Sequence, residues 1–251
     1  MKNINNQISY VPPEKSKRTL GKIVVVLIVL CAIFTLGFVL QRGNRNTNQR
    51  TDVTTKNYTI STSSSTRDNT TQASYNWKYV DNNLKSKKYN LTFKLTTDEV
   101  QQCINYLEQV ENMSDYELGC SNIKNKSSIE YYRAYWHAVY NKLYTFESPK
   151  FDKIVSGFKD IFSKENFSSK DKMLFLMTFV QNITYKRPGD YLDIIPGKVV
   201  ISKRYGDCDT KSMLLYVLFE KFGIDCVMFW SYQYSHAMLG VNTSASGYSK
   251  T

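Results

Sequence analysis

The chain has 251 residues, enough for one sizeable domain with accessories, and its 42% hydrophobic content is enough for a core. The formal charge of +11 is unevenly spread: residues 1–75 hold 10 Lys/Arg against 3 Asp/Glu, leaving 23 against 19 for the rest. The basic excess therefore belongs to the leading segment more than to the domain, which excludes nucleic acid as the partner implied by the charge.

The first 22 residues are polar and carry Lys15, Lys17, Arg18 and Lys22 toward their C-terminal end. Ile23 to Leu40 then runs for eighteen residues without a charge. As a helix it would be about 27 Å long, close to the hydrocarbon thickness of a bilayer, so the sequence predicts a single transmembrane helix over 23–40. A cleaved signal peptide is the rival, but Gly-Phe-Val-Leu-Gln-Arg offers no Ala-x-Ala-like site. The basic residues before the span put the 1–22 tail in the cytoplasm and the rest outside, although Arg42, Arg45 and Arg50 nearly balance them. Residues 41–73 are rich in Asn, Thr, Ser, Gln and Arg with hardly any large apolar side chain, so they read as a disordered tether.

The domain is expected over 75–251. Tyr89 to Leu95 alternates apolar and polar, the pattern of a half-buried strand. Thr96 and Glu99 form a capping-box pair ahead of Val100, Cys103, Ile104, Leu107 and Val110. Further amphipathic helices are predicted at Ile129 to Tyr144, after Ser148-Pro149, and at Met173 to Gln181 behind a Ser168/Asp171 cap. Their aromatic stripes, including Tyr132, Trp136 and Tyr140, read as core. Helices first and strands last imply an α+β domain, with a helical lobe around a buried cysteine helix set against a small antiparallel sheet. Five cysteines give no even framework, and a Cys103–Cys120 disulfide stays open outside the cytoplasm, since sequence cannot show pairing.

The chemistry concentrates between Arg204 and Phe222. Gly206 and Asp207 read as turn and cap, and Met213 to Phe219 is an unbroken apolar run, so Cys208 falls on the first turn of a buried helix. Unpaired N–H groups and the positive end of the helix dipole favour a thiolate there. A cysteine nucleophile needs a base, and the chain has two histidines. His137 shares a polar stripe with Glu130, Arg133 and Asn141 and reads as a surface residue, whereas His236 heads a short strand-type run 28 residues after Cys208. Asp207 and Asp209 read as caps and local hydrogen-bonders, and Lys211 as facing solvent or tied to Asp207. Gln181 and Tyr185 are candidates for oxyanion support beside the Cys208 N–H, with helix-end capping and packing as their plain alternatives.

Gly206-Asp207-Cys208-Asp209 before a buried helix, then Gly223, a hydrophobic strand, and Tyr234-Ser-His-Ala-Met-Leu-Gly-Val241, resembles the core of the transglutaminase-like superfamily of papain-type cysteine hydrolases. Phe179 to Tyr185 is similar to the segment before the catalytic cysteine in bacterial members. The resemblance spans roughly Tyr75 to Asn242, and its specific part is the Cys and His segments. It implies Cys208 as nucleophile and His236 as general base, attacking an amide or ester carbonyl through an acyl-enzyme. The family's third member, an Asp, Glu or Asn on the next strand, has no clear match, because no carboxylate side chain lies between Ala237 and Thr251. Asn242 is on the right strand parity but about 20 Å from His236 along a straight strand. The reading is therefore a domain incomplete at its C-terminus, or one that works with a dyad.

Two functions are expected from these features. One is a membrane-anchored, extracytoplasmic cysteine hydrolase or acyltransferase acting on protein or envelope amides, its partners a membrane and a protein or peptide substrate. The other is a non-catalytic relative serving as a binding or assembly module. No metal and no cofactor is expected, since His, Cys and carboxylates have no metal-ligand spacing, and the oligomeric state is left open.

Overall fold

The computed structural model describes residues 8–9 by backbone alone and then 55–65, 67–81, 85–189, 192–231 and 236–242. The expected membrane span 23–40 and both its flanks, 10–22 and 41–54, lie outside those residues. Among the described residues no helix is long and apolar enough to cross a membrane.

The described part is α+β with small sheets. Strand β1 is Ile8–Ser9, β2 is Thr55–Ser61, β3 is Thr70–Val80 and β4 is Ser86–Thr96. β4 is the centre of one sheet, parallel to β2 and antiparallel to β3. Period-two alternation sends Ala73, Tyr75, Trp77 and Tyr79 of β3, and Tyr89, Leu91, Phe93 and Leu95 of β4, to the same covered face. Its outward face, Asn57–Asn90–Asn76 and Thr59–Thr92–Ser74 in register, is polar throughout those rows.

The tether expected over 41–73 is therefore wrong in its second half, and the domain begins about twenty residues earlier than the composition indicates. β2 looks like linker because half of its residues face solvent and its inward face needs few apolar groups. Ile60 is fully buried, and Gly157 is what lets it be, since a Cβ there would come within 2.7 Å of the Ile60 side chain. The polar remainder is satisfied by Glu165, which takes Lys56 Nζ at 2.7 Å, the Tyr58 hydroxyl, and the Tyr89 hydroxyl at 3.0 Å. Burial works against that carboxylate's charge, yet the bonds from Lys56, Tyr58 and Tyr89 outweigh it and hold Glu165 below its ordinary value. None of these partners is near in sequence, so the local composition cannot reveal them.

Helix α1, Thr97–Glu111, starts where Thr96 accepts the Glu99 N–H at 3.3 Å. The second arm of the capping box is diverted: the Glu99 carboxylate bonds the Thr62 hydroxyl, which in turn accepts the Thr96 N–H. Helix α2, Ile129–Glu147, is capped by Ser128, and a short 3₁₀ turn at Ser148–Phe151 leads into α3, Asp152–Lys164. Helix α4, Ser169–Gln181, is capped by Ser168, whose neighbour in the cap, Asp171, also takes the Tyr79 hydroxyl at 2.6 Å. Phe158, Phe175 and Phe179 of these helices meet Trp77, Tyr89 and Phe93 edge-on or tilted, the packing that the ring quadrupoles favour.

After α4 come β5, Thr184–Tyr185, the short helix α5, Gly197–Lys203, then β6, Tyr205–Gly206, parallel to β5. The first two N–H groups of α5 are taken by the buried Glu147 carboxyl, at 2.9 Å from Gly197 and 3.2 Å from Lys198. Helix α6, Cys208–Lys221, is the expected cysteine helix, buried from Met213 to Phe219 except at Leu215. The chain closes with an antiparallel pair, β7, Cys226–Ser231, and β8, His236–Val241, with β1 parallel on the other side of β7.

Candidate functional site

The sequence around Cys208 folds as a strand-to-helix turn. Gly206 pairs with Tyr185 across the β5–β6 ladder, and it must be small, since a Cβ there would meet the Thr210 side chain at 2.7 Å. Asp207 is the N-cap, buried and extended, its Oδ1 accepting the Thr210 N–H at 3.4 Å. Cys208 is the first residue of α6 and is half-exposed. Its backbone N–H is among the first four of the helix, which have no carbonyl within the helix to bond. It is therefore placed to donate to an oxyanion formed at the sulfur's target.

His236 is the first residue of β8, exposed, and paired across the hairpin with Ser231. Helix start and strand start come together: Cys208 and His236 line one cleft of about 330 Å³. Tyr132 and Trp136, one turn apart on α2, form one wall, and Trp230 at the end of β7, with Leu192, completes the apolar lining. Arg187 and Asp193 at the rim are ion-paired, with Nε to Oδ2 at 2.7 Å. Both are solvent-facing enough that the pair contributes little to stability.

Of the supporting residues, Tyr185 and Asp207 are in this cleft and Gln181 is not. Tyr185 is 64% exposed and lines the cleft beside Cys208; partial burial, then the nearby Cys208 and Asp207, push the phenol above its ordinary value. The β5–β6 ladder is what carries it there. Gln181 ends α4 and lines a separate cleft with Trp77, Lys78, Lys88 and Asn182. Three residues, beginning with a turn at Asn182, separate it from Tyr185, and the two side chains line different clefts. Its carbonyl oxygen accepts Lys211 Nζ at 3.3 Å, and that of Ile183 accepts it at 2.8 Å. Lys211 thus neither faces solvent freely nor pairs with Asp207; it ties the end of α4 to the first turn of the cysteine helix.

Two further readings are corrected. Tyr132 and Trp136 are half-buried cleft residues, not core, and their spacing of four on one stripe was the available signal. His137 is half-buried and contacts Asn141 at 3.1 Å, and burial lowers its pKa. Its ring is one step of about 100° around the helix from Trp136 and does not line the cleft with Cys208. Arg187, Asp193 and Trp230 were not singled out from the sequence, and no local pattern marks them.

Asn242 is at the far end of β8 from His236, where its Nδ2 bonds Asp225 at 3.0 Å and its N–H the Asp225 carbonyl. It is not available to orient the imidazole. Beneath the cleft, Tyr140 of α2 is fully enclosed; burial first, then Asp209, Cys208 and Asp207, push its phenol far above the ordinary range. Its hydroxyl faces the Asp209 carboxyl without closing a hydrogen bond of ordinary length. Cys103, Cys120 and Cys226 are buried free thiols, and burial pushes Cys103 and Cys226 up to about 12. Cys208 is the half-exposed one of the four described cysteines. Among the described residues no three His, Cys, Asp or Glu side chains form a group that could hold a metal ion.

Comparison with known proteins finds no matching family model, no similar curated protein and no similar solved structure.

Proposed function

We propose that this protein is a transglutaminase-like cysteine hydrolase or acyltransferase, with Cys208 forming a thioester with an amide substrate and His236 acting as general base and then acid. The observation that carries the reading is the shared cleft: a half-exposed cysteine at a helix N-terminus and the one histidine that heads a strand open onto the same 330 Å³ space. In the acylation step the sulfur adds to the carbonyl carbon, and the oxygen that becomes negative is met by the Cys208 N–H. The imidazolium then protonates the departing amine, leaving the thioester. Water or an amine takes the acyl group in the second step, with the imidazole accepting its proton. Tyr132, Trp136 and Trp230 give the substrate an apolar, ring-lined seat beside the sulfur.

The test is iodoacetamide alkylation at neutral pH. Because the other described cysteines are buried, the informative reference is a small-molecule thiol and not a second cysteine of the chain. Cys208 should react faster than the reference, and His236→Ala should remove the advantage. A Cys208 rate equal to the reference and unchanged in the variant would overturn the reading.

We also propose that 23–40 anchors the domain outside the cytoplasm with the N-terminus inside, supported by the charge-free run and the basic residues before it. The backbone pairing of Ile8–Ser9 with β7 requires those residues on the domain's side, so the two arrangements exclude one another. Protease added to intact cells separates them. Loss of the domain with an N-terminal tag retained supports the anchor; loss or protection of both overturns it.

A further inference from the structure

Two carboxyl groups flank Cys208, and they converge on one backbone N–H. Asp207 is 4% exposed and Asp209 is half-buried. Oδ1 of each accepts the same Thr210 N–H, at 3.4 Å and 2.9 Å, so the two carboxyl groups are held side by side at one hydrogen. Two negative charges held that close and largely out of water repel, which favours a proton on one of the two carboxyls. We propose that Asp207 and Asp209 share a single proton and are positioning residues that limit the negative charge beside Cys208, thereby setting the pH range over which its thiolate forms. The proposal rests on the reading of Cys208 as the reactive thiol.

The electrostatics of the first turn give the reason. A helix N-terminus supports roughly half a positive charge, which suits one anion better than three. With both carboxyls ionised, the thiolate would be a third negative group within one turn, and like charges at that range disfavour ionisation. A shared proton leaves the pair one net charge, held on the cap. Burial, then the Asp207 carboxyl, push Asp209 well above the usual carboxylate range. Groups on the neighbouring elements also face the pair and the thiol. Tyr140 of α2 is buried near Asp209, and Tyr185 of β5 shares the cleft with the thiol. Arg187 acts on Asp207 from the rim but is already paired with Asp193. His236 of β8 is across the cleft.

Loss of the pair's proton as pH rises would add a second negative charge beside the sulfur. Asp209→Asn keeps a donor toward Asp207 and removes the titration. The experiment is the pH profile of Cys208 alkylation by iodoacetamide in the full chain, in Asp209→Asn and in His236→Ala. The native profile should rise gradually. In Asp209→Asn it should become a single-proton step with its midpoint lowered by about one pH unit, so that the rate on the rising limb is about tenfold higher. Superimposable native and Asp209→Asn profiles would overturn the proposal. A profile moved by Asp209→Asn but not by His236→Ala would keep the carboxyl pair and overturn the dyad, so the two failures are distinct. Should Asp209→Asn not fold, infrared spectroscopy decides at neutral pH. Since Glu147, raised to about 7, contributes a band of its own, the measurement is made in Glu147→Gln: a protonated-carboxyl band that remains there and disappears as pH rises supports the shared proton, and its absence overturns it.

Discussion

The β2–β4–β3 sheet and the α6–β8 region are both polar on one side and buried on the other, but they are held in opposite ways. In the sheet, β2 is fastened by side chains from far along the chain: Ile60 against Gly157, and Lys56 and Tyr58 on Glu165. In the α6–β8 region the determinants are close in sequence: Gly206, Asp207 and the apolar run build the helix start, and a hairpin brings the histidine back to it. Local determinants survive in a single sequence as a motif. Distant ones do not, even when the residues they fix are as buried as any in the core.

The sharpest way to test this contrast is to remove β2. A chain beginning at Tyr75 loses Ile60 from the core and leaves Glu165 without Lys56 and Tyr58, a loss on the order of 5 kcal/mol, comparable with the whole stability of a domain. Urea unfolding should show a cooperative transition for residues 53–251 and none for 75–251; equal midpoints would restore the tether reading. Glu165→Ala is the next largest, at about 3 to 5 kcal/mol, because it strands Lys56, Tyr58 and Tyr89 at once. Glu165→Gln should recover part of that loss, through the tyrosine bonds and not the ion pair.

The other buried glutamate gives a pH effect on the helical side. Burial pushes Glu147 up to about 7, against the lowering pull of the Gly197 and Lys198 N–H groups and the nearby lysines. A raised folded-state value means that its contribution is full below the unfolded value near 4.5 and is lost as pH rises through about 7. Unfolding free energy should therefore fall by roughly 3 kcal/mol across that window. Glu147→Gln should flatten the slope; an unchanged slope would assign it to other groups. Glu165, held below its ordinary value, has the opposite sign, with stability present above the unfolded value and lost on acidification below it. The smallest effect is Gly157→Ala, where one methyl displaces Ile60 at a cost of about 1 to 3 kcal/mol. It should raise hydrogen exchange in β2 while leaving Cys208 alkylation unchanged, which would separate the two regions in one variant.

The cysteine helix, its cap, the strand carrying His236 and most helix starts were legible because each is written in a few adjacent residues. Ser128, Ser168 and Asp207 cap as such residues do wherever a helix begins. Tyr89 to Leu95 alternates because one face of β4 is covered. Tyr132 and Trp136 were visible as a stripe, but a stripe does not say whether it faces core or cleft. That depends on what α2 lies against.

By itself, then, the amino-acid sequence determined the local elements, the helix N-terminus that presents Cys208, and the placement of His236 at the head of a strand and His137 on a helix. Tertiary structure alone decided that 55–61 is a core strand, that Gln181 turns to a different cleft from Tyr185, and that Lys211 ties α4 to α6. It also decided that Asp207 and Asp209 meet over one N–H. The physical reason is the range of the forces involved. Caps and periodicity act within a turn or a strand, whereas burial, charge pairing and cleft formation depend on groups brought together from distant parts of the chain.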